Sequence, residues 1–494
     1  MYNEDDILQL KSGSIIVDGR IAGILSKIIE AKPERGWQAD GTIYTWDEVG
    51  MADLFSELYA NDTRFCPEKK SWYTYDKGKW ERDVSSLLIS AKIKEFVRIM
   101  SLYCGEIVDE SVRKEYMKFV SRMGDRRFRD RIMKDASDSM SIAAEKFDSD
   151  PYLINCKNGT FDLKTMTFRE HRWSDFLTMQ TRFNGTVQFE NISSPRWEKF
   201  IDEVTEGNRD KARYLQRALG YSMIGTSKEE CMFIIHGPKT RNGKSTMLHA
   251  IEHMLGDYST AAPVSLICKG QKSNAEAANP VLASLKGKRY VTMSESDDVG
   301  KMDESAIKQY TGGEAITARA LYQEPITFVP QFTLWLSCND LPAVKDKSLF
   351  ASNRLRLVEF TRHFGEDEQD KNLKTDLESQ ECMQGIFSWL LAGYMMYLKE
   401  GLDLPESLRG PVRKYERDND VVLQFLEECC EYNVDEKIQC KALYHQYKVW
   451  ARSNGYYQLS SKKFFAEVEK HTDFYDRKDT GHGNLMYFYG MKLS

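Results

Sequence analysis

The segment from Cys231 to Gly256 constrains this chain more than any other part of it. It starts with a short apolar run, passes through a turn-rich loop and reaches Gly243-Lys244-Ser245-Thr246. Apolar residues then recur at helical spacing, and Gly256 is a typical helix stop. The pattern predicts a buried strand, a loop and a helix in direct succession.

A loop between a strand and a helix N-terminus can bind the phosphates of a nucleotide. Glycine lets the main chain approach closely, and the helix adds the positive end of its dipole. Lys244 offers a charge to the β and γ phosphates, and Ser245 offers a hydroxyl to Mg²⁺. The residues predicted to contact the nucleotide are Gly237, Pro238, Lys239, Thr240, Arg241, Asn242, Gly243, Lys244, Ser245 and Thr246.

The loop departs from the general phosphate-loop pattern in one respect. That pattern has four residues between its first glycine and the Gly-Lys pair, which would put the glycine at Pro238. Gly237 lies one position earlier, so either the loop is one residue longer or its first turn is built differently. The alternative, a chance Gly-Lys-Ser, is disfavoured by the strand before it and the helix after it.

Composition limits the classes of protein that need to be considered. The 494 residues suggest roughly three domains. A net charge of −6 argues mildly against a protein coated in nucleic acid, although a basic channel remains compatible with it. The 10 cysteines are scattered without a C-x-x-C or a zinc-type cluster with histidine, which predicts free thiols in a reducing compartment.

Nothing in the sequence predicts a membrane protein. The acidic N-terminus has no apolar core, so we expect no signal peptide. The most apolar long stretch, Gly385 to Leu398, is shorter than the roughly 20 residues of a membrane span. It predicts a buried helix, and we expect a cytoplasmic protein.

Two further strands carry polar residues at their ends. Tyr290 to Met293 is followed by Glu295 and Asp297, where one carboxylate can hold Mg²⁺ and another can orient water. The sequence does not assign these two roles between them. A third strand ends at Asn339, which would lie beside the γ-phosphate in such a sheet or simply begin a turn.

Downstream residues suggest contacts with a neighbour and with a polymer. A hairpin between 315 and 329 carries Arg319 and Tyr322 near its tip, and Lys308 precedes it. A strand from 353 to 360 carries Arg354 and Arg356. An arginine there can reach a neighbouring subunit's nucleotide, or it can be a structural ion-pair partner.

Three other segments have two readings each. The hairpin aromatics Trp72, Tyr73, Tyr75 and Trp80 can stack on bases, but a packed face is the favoured reading. Arg126 to Arg131 is a basic stretch that is either a solvated helix face or a nucleic-acid surface. Residues 421–494 read as three helices followed by strands 474–477 and 485–491, which suggests a winged helix whose recognition helix starts at Ser460-Ser461-Lys462-Lys463.

The ordered segments GPKTRNGKST, KRYVTMSESDD, TGGEAITAR with its hairpin, WLSCN and NRLRLVEF together resemble superfamily 3 helicases, most closely the phage and poxvirus primase-helicase type. Asn242 before Gly243-Lys244 is characteristic of that group. Segments further upstream and at the C-terminus are also similar to it, so the resemblance covers about residues 45 to 494. Where the family often has Arg-Arg, this chain has Asn353-Arg354.

The resemblance implies an α/β fold with a P-loop AAA+-like ATPase core around a parallel sheet. It implies an α+β N-terminal domain (1–190), a helical collar (191–228), the ATPase domain with a helical lid (229–404), a linker (405–420) and a winged-helix-like domain (421–494). It assigns ATP and Mg²⁺ as cofactors, Ser245 and Glu295 to the metal, and Arg354 as an arginine finger acting in trans. The catalytic set it implies is Lys244, Glu295, Asp297, Asn339 and Arg354.

The resemblance also implies a ring, usually a hexamer, that moves 3′ to 5′ on single-stranded or forked DNA in phage or prophage replication inside a bacterial cell. Lys308, Arg319 and Tyr322 are then the expected DNA contacts. A separate primase is an expected partner, because no zinc cluster or polymerase carboxylate set precedes the helicase part. The alternative is an ATP-switched origin-binding or loading platform; a small-molecule kinase is disfavoured because nothing resembles an acceptor lid.

Overall fold

The computed structural model describes residues 6–10, 13–33, 44–268, 279–294, 300–322, 324–471, 478–479 and 486–494. The chain divides into two compact units. The first comprises residues 1–191 with 254–258, and the second comprises residues 192–253 with 259–494.

The first unit combines a helical core with small antiparallel sheets. Its helices are α1 (Gly19–Ala31), α2 (Glu48–Tyr59), α3 (Leu87–Tyr103), α4 (Glu110–Met123) and α5 (Arg126–Ser139). Its strands are β1 (Asp6–Leu10), β2 (Gly13–Val17), β3 (Thr63–Cys66), β4 (Ser71–Asp76), β5 (Lys79–Arg82), β6 (Leu153–Cys156), β7 (Gly159–Asp162) and β8 (Thr167–Arg169).

Aspartates start several of these helices. Asp47, Asp109 and Asp125 each accept a hydrogen bond from a backbone N–H of the following turn. An N-cap carboxylate satisfies a donor that has no partner inside the helix and complements the helix dipole. These aspartates therefore mark where α2, α4 and α5 begin.

The second unit contains twelve helices and ten strands among its described residues. The helices are α6 (Pro195–Thr205), α7 (Arg209–Tyr221), α8 (Lys244–Leu255), α9 (Pro280–Ser284), α10 (Glu304–Thr311), α11 (Ser348–Ala351), α12 (Leu373–Leu377), α13 (Gln380–Glu400), α14 (Arg409–Asp418), α15 (Val421–Cys429), α16 (Cys440–Ser453) and α17 (Ser461–His471). The strands are β9 (Met232–His236), β10 (Ser259–Ala261), β11 (Tyr290–Ser294), β12 (Ile316–Ala318), β13 (Ile326–Phe328), β14 (Thr333–Cys338), β15 (Leu355–Glu359), β16 (Cys430–Gln439), β17 (Lys478–Asp479) and β18 (Met486–Leu493).

A five-stranded sheet in the order β10-β11-β14-β9-β15 organises the second unit, and every neighbouring pair is parallel. Strands β9 and β14 are almost wholly buried, as expected when helices cover both faces of a parallel sheet. This confirms the predicted mixed α/β fold with a parallel sheet. The carboxyl ends of the strands share one edge, so the loops that follow them meet there.

Helices α7 and α13 pack through facing glycines. A Cβ on Gly393 would lie 1.9 Å from the carbonyl oxygen of Gln216, and one on Gly220 would lie 2.3 Å from the amide nitrogen of Tyr394. The apolar stretch 385–398 lies within α13 and is mostly buried, as predicted. Within the described residues, no helix is both long enough and apolar enough to span a membrane.

The segment 405–420 is not an irregular linker, because it contains helix α14. Its prolines and charges suggested a linker, but Pro411 lies in the first turn, where its missing N–H costs no intrahelical bond. Tyr415 is buried, and its hydroxyl donates to the carbonyl of Pro342 at 2.5 Å. The helix is therefore held against the preceding part of the unit.

The C-terminal segment 421–494 has three helices, as predicted, and a sheet in the order β16-β18-β17. Strand β16 was not predicted, since most of its side chains are exposed and no apolar alternation marks it. The predicted strand 485–491 corresponds to β18, whereas the predicted strand 474–477 lies outside the described residues.

Asp420 joins this C-terminal segment to the loop before α11. Its carboxylate lies 2.6 Å from Lys347 Nζ and 2.7 Å from His471 Nε2, and its side chain is only 5% exposed. Burial by itself raises the pKa of Asp420, but donation from His471 and Lys347 outweighs it and holds the pKa well below the ordinary range. Lys347 also pairs with Glu467 on α17 at 2.8 Å.

We expect Asp420→Asn to lower the free energy of unfolding by about 1–3 kcal/mol at neutral pH, because Lys347 and His471 lose a buried carboxylate oxygen. The other side-chain oxygen, which accepts from the backbone N–H of Leu423 and caps α15, is kept. A depressed carboxylate pKa stabilises the fold above the ordinary value of 3.8 and ceases to do so as pH falls toward the folded-state value. Denaturant unfolding at pH 7 and below pH 4 should therefore show the gap to wild type closing in acid. A constant gap at all pH values would contradict this assignment.

Candidate nucleotide site

The loop between β9 and α8 spans residues 237–243 at the carboxyl edge of the parallel sheet. Arg241 (φ 57°) and Gly243 (φ 86°) both have left-handed backbone, on either side of Asn242. Such local reversals can turn successive backbone N–H groups toward one point and form an anion-binding concavity. The helix N-terminus that follows adds its partial positive charge.

The side chain of Lys244 carries a buried positive charge at the carboxyl edge of the sheet. It is 5% exposed, and its Nζ donates to the carbonyl of Gly237 at 2.8 Å and to Oδ1 of Asn339 at 2.9 Å. A buried ammonium without partners would be very costly, so these two acceptors hold it in place. The structure thus brings together Lys244 and Asn339, which lie 95 residues apart in sequence.

The sheet order explains why Asn339 reaches Lys244. Strand β14 is the direct neighbour of β9, with Cys338 opposite His236 in register. Asn339 follows β14, just as Gly237 follows β9, so both leave the sheet at the same level. Asn339 therefore lies at the same sheet edge as the loop, and its predicted place beside a γ-phosphate stays a prediction.

The buried side chain of Asn242 makes polar contacts within the loop. Its side-chain Nδ2 donates to the carbonyl of Lys239 at 2.7 Å, and its Oδ1 lies 3.4 Å from the backbone N–H of Lys244. The residue is 4% exposed. By contrast, Pro238, Lys239, Thr240 and Arg241 are exposed, and Ser245 and Thr246 lie in the first turn of α8 with Ser245 exposed.

Glu295 and Asp297 lie outside the described residues, so their predicted roles stay predictions. Strand β11 ends at Ser294, which pairs with Ser337 of β14. The chain therefore leaves β11 at the same sheet edge that holds Lys244.

Sequence reasoning missed a second polar pair at this edge. His236 ends β9, and its Nδ1 lies 3.6 Å from Oε1 of Glu359, the last residue of β15. The nearby His236 lowers the pKa of the Glu359 carboxyl below its ordinary value, against the effect of burial. A polar residue at the end of each adjacent parallel strand was the signal that could have identified this pair.

Residues after β15 also support the loop from outside. The ring of His363 lies 2.7 Å, through Nδ1, from the carbonyl of Thr240, and the backbone N–H of Phe364 donates to the carbonyl of Arg241 at 2.8 Å. These contacts fix the exposed half of the loop.

Arg354 lies at the opposite, amino edge of the sheet, just before β15. Its guanidinium contacts the carboxylate of Glu230 and donates to Thr311 Oγ1 at 2.8 Å. Five residues of extended chain separate it from the carboxyl edge, about 16 Å. Arg356 is different: it is 7% exposed and donates to the carbonyl of Leu402 at 2.9 Å, which is a structural role.

The hairpin of β12 and β13 presents its tip to solvent. Leu321 is 61% exposed, and Tyr322 is fully exposed with a left-handed φ of 59°. Arg319 is also exposed. Lys308 on α10 lies apart from this tip and pairs with Asp346 at 2.7 Å, and donation from Lys308 and Ser348 lowers the pKa of Asp346 to about 2.

In the first unit, the aromatic side chains of the β4–β5 hairpin are packed against neighbouring residues. Trp72 and Trp80 are buried, and Tyr73 lies 4.5 Å from the ring of Phe147, so the hairpin aromatics form a packed face. In the basic stretch, Arg131 pairs with Glu48 at 2.7 Å and Arg126 is 87% exposed. For this basic stretch, the solvated face and the nucleic-acid surface both stay predictions.

Family comparisons match three separate parts of the chain. Residues 52–206 match the family described as "D5 N terminal like", and residues 417–485 match "Poxvirus D5 protein-like". Residues 235–354, which include the loop, match a family of unknown function, DUF5906. The two D5 matches confirm the resemblance to the phage and poxvirus primase-helicase type.

Two curated relatives are viral proteins named "Putative helicase". The one from Acanthamoeba polyphaga mimivirus is 26% identical over 425 residues, covering 78% of this chain and 43% of its own length. The one from Invertebrate iridescent virus 3 is 24% identical over 339 residues, covering 62% of this chain and 36% of its own length. The chain thus spans less than half the length of these relatives, whose names support a helicase-like function.

Among solved structures, the apo A form of the NrS-1 C-terminal region matches with a TM-score of 0.49 at 10% identity. The match covers 90% of this chain and 99% of that chain.

Gly237→Ala tests the geometry of the loop. The added Cβ would lie 2.4 Å from Asn242 Nδ2 and 2.5 Å from the carbonyl of Phe360. We expect the loop to shift and nucleotide affinity to fall at least about tenfold, since about 1.4 kcal/mol of lost binding suffices. Titration with a fluorescent ATP analogue measures this.

The matched control is Gly410→Ala in α14, where an added Cβ has no atom within 4 Å. It should bind nucleotide like wild type. Equal affinities for all three proteins would show that the close approach at Gly237 is not needed for binding.

Proposed function

We propose that this chain, which resembles the D5 type of viral helicase, is an ATP-driven DNA helicase or translocase that works as a ring. The observation that carries the proposal is the buried Lys244 ammonium held between Gly237 and Asn339 at the carboxyl edge of a parallel sheet. A buried ammonium at this edge of the sheet is suited to reversible binding of an anion. The relatives named as helicases supply the reaction class.

The donor set fits a nucleoside triphosphate with Mg²⁺. A Cβ on Gly237 would lie 2.4 Å from Asn242 Nδ2 and 3.2 Å from Lys244 Nζ, so glycine keeps the main chain close to the lysine. Lys244 would exchange the Gly237 and Asn339 oxygens for phosphate oxygens, and the Asn339 side chain would then face the γ-phosphate. Ser245, with Glu295, would hold Mg²⁺, which when bound neutralises charge on the β and γ phosphates.

We propose that the carboxylates of Glu295 and Asp297 hold the metal ion and activate the attacking water. In the sequence, Glu295 directly follows Ser294, the last residue of β11, and β11 pairs with β14, the strand that Asn339 follows. One of the two acidic residues holds the metal and the other orients or deprotonates water.

We place Arg354 in a neighbouring subunit's site rather than in its own. Within one chain it lies at the sheet edge opposite Lys244, where it cannot reach the same nucleotide. A groove of about 360 Å³ opens beside its partner Glu230, lined also by Gly225, Gly313 and Gln331. In a head-to-tail ring, which we propose to be a hexamer, this face would receive the next subunit's nucleotide.

The exposed hairpin is the proposed DNA contact. Tyr322 can stack on a base, and Arg319 can contact phosphate in the ring channel. Lys308 would contribute only after leaving Asp346, so we rank it third of the three. Movement along single-stranded or forked DNA is proposed to run 3′ to 5′.

The biological setting follows from the relatives and the sequence together. We propose replication of a phage, prophage or other viral genome in the cytoplasm of the host, with a separate primase as partner. The chain spans less than half of its viral relatives, so the activities of the whole relatives are not transferred to it.

A second candidate is an ATP-switched origin-binding or loading platform that does not unwind processively. The C-terminal segment favours it, because its three helices and small sheet suit a winged helix and Lys462 and Lys463 are exposed at the start of α17. A strand-displacement assay on forked DNA separates the two: unwinding supports the helicase, whereas ATP-dependent binding without unwinding supports the platform.

The first functional prediction concerns subunit complementation of the ATPase. Lys244→Ala and Arg354→Ala should each lose about 1,000-fold or more of the rate. An equal mixture should recover about a quarter of the wild-type rate, because each interface needs lysine from one subunit and arginine from the next. Phosphate release with single-stranded DNA present is the measurement.

Arg413→Ala is the control for loss of an arginine, since Arg413 is a surface residue 67% exposed and paired with Glu406. It should leave the rate unchanged alone and in mixtures. Should Arg354→Ala hydrolyse ATP normally while Lys244→Ala is inactive, the in-trans role and the ring would both be rejected.

The second functional prediction concerns the hairpin. Tyr322→Ala should weaken single-stranded DNA binding by roughly 5- to 150-fold, since a stacked base contributes about 1–3 kcal/mol. Fluorescence anisotropy with a labelled oligonucleotide at several salt concentrations is the measurement. Tyr457→Ala is the control, because Tyr457 is 82% exposed but lies outside the hairpin; equal losses in both variants would remove the hairpin from the DNA path.

A further inference from the structure

Two histidines and a glutamate converge on the outer side of α8, away from the nucleotide loop. His249 and His253 are four residues apart on this helix, so their rings lie on one face, with centroids 6.1 Å apart. Glu378 comes from the joint between α12 and α13. One ligand atom from each residue lies within 4.8 Å of the other two.

We propose that His249, His253 and Glu378 form a binding site for a divalent transition-metal ion, with Zn²⁺ as the best match. Imidazole nitrogen and carboxylate oxygen are ligands that Zn²⁺ accepts, and a helical His-x₃-His pair presents two nitrogens to one point. The site is distinct from the Mg²⁺ position proposed at Ser245, which is oxygen-rich.

The distances suit such an ion. Around a tetrahedral Zn²⁺ with bonds of about 2.0–2.1 Å, ligand atoms lie about 3.3 Å apart. Here Glu378 Oε1 lies 3.0 Å from His249 Nε2 and 3.9 Å from His253 Nδ1, values on either side of that spacing. Small side-chain rotations are sufficient to bring three ligands onto one ion, with water in the fourth position.

Neighbouring acidic side chains indicate a structural site rather than a hydrolytic one. Glu252, next to His253, accepts a hydrogen bond from Thr292 Oγ1 at 2.9 Å and so faces the sheet. Asp376 on α12 accepts from Arg196 Nε at 3.1 Å. Neither is positioned as a fourth ligand or as a base for metal-bound water, so the ion would hold elements together.

The elements it would hold are the nucleotide helix and the start of the long helix α13. His249 is half exposed and His253 is 19% exposed, so the ion can enter from solvent. Without the ion, α8 and the α12–α13 joint are connected here by one carboxylate between two imidazoles. With it, three coordinate bonds replace that contact and the joint becomes rigid.

Zinc binding by the metal-free full-length protein tests this. After chelator treatment and dialysis into buffer containing Mg²⁺, isothermal titration with Zn²⁺ should show one more tight equivalent for wild type than for His253→Ala. Glu378→Gln, which keeps the side-chain shape, should lose the same equivalent. His445→Ala, an exposed histidine on α16, should match wild type.

Two spectroscopic readouts accompany the titration. Co²⁺ should give the visible absorption bands of a four-coordinate ion in wild type and in His445→Ala only. Saturating Zn²⁺ should raise the thermal unfolding midpoint of wild type by roughly 2–4 °C or more, and should not raise that of the two site variants. Far-UV circular dichroism shows that each variant is folded.

The proposal is overturned if wild type, His253→Ala and Glu378→Gln bind equal amounts of Zn²⁺ with equal affinity. It is also overturned if Co²⁺ shows the same spectrum in all of them. Either result would leave the three residues as a hydrogen-bonded cluster.

Discussion

The buried ammonium of Lys244 has acceptors on two chain segments, and this arrangement depends on the order of the strands in the sheet. Lys244 Nζ is satisfied by the Gly237 carbonyl and the Asn339 side chain, and both acceptors follow strands that end at the same edge. This works only if β14 is the direct parallel neighbour of β9, as the register shows. An unpaired charge at this depth would cost several kcal/mol, so sheet order and loop chemistry constrain each other.

The same sheet keeps apart the two groups of residues that the proposed ring would use, the nucleotide loop and the arginine. One edge gathers Lys244, Asn339 and the His236–Glu359 pair, whereas the other carries Arg354 with Glu230. Strands of about five residues keep these edges roughly 16 Å apart. In the proposed ring, this length makes each subunit a donor of arginine on one side and of a nucleotide loop on the other, so that hydrolysis depends on assembly.

The sequence predicted best where local signals and tertiary structure agree. The loop at 237–243 and the hairpin between β12 and β13 both carried turn residues at the right spacing. Strand β16 was missed because its exposed side chains show no apolar alternation, and because it pairs with β18, whose residues lie 48 to 63 positions further along the chain. The helix at Arg409–Asp418 was missed because Pro411 and Gly410 stand inside its first turn, and only the packing of Tyr415 decides its state.

The cluster around Glu378 was invisible for a different reason. His249 and Glu378 are 129 residues apart, and only the fold reveals that they meet. Their position gives the cluster a thermodynamic consequence, because His249 follows Lys244 by about 7–8 Å along one rigid helix. If an ion at the cluster changes the affinity of the loop for nucleotide, then nucleotide must change the affinity for the ion by the same factor. Under that coupling, the affinity of the outer face of α8 for the ion would report the nucleotide state of the loop.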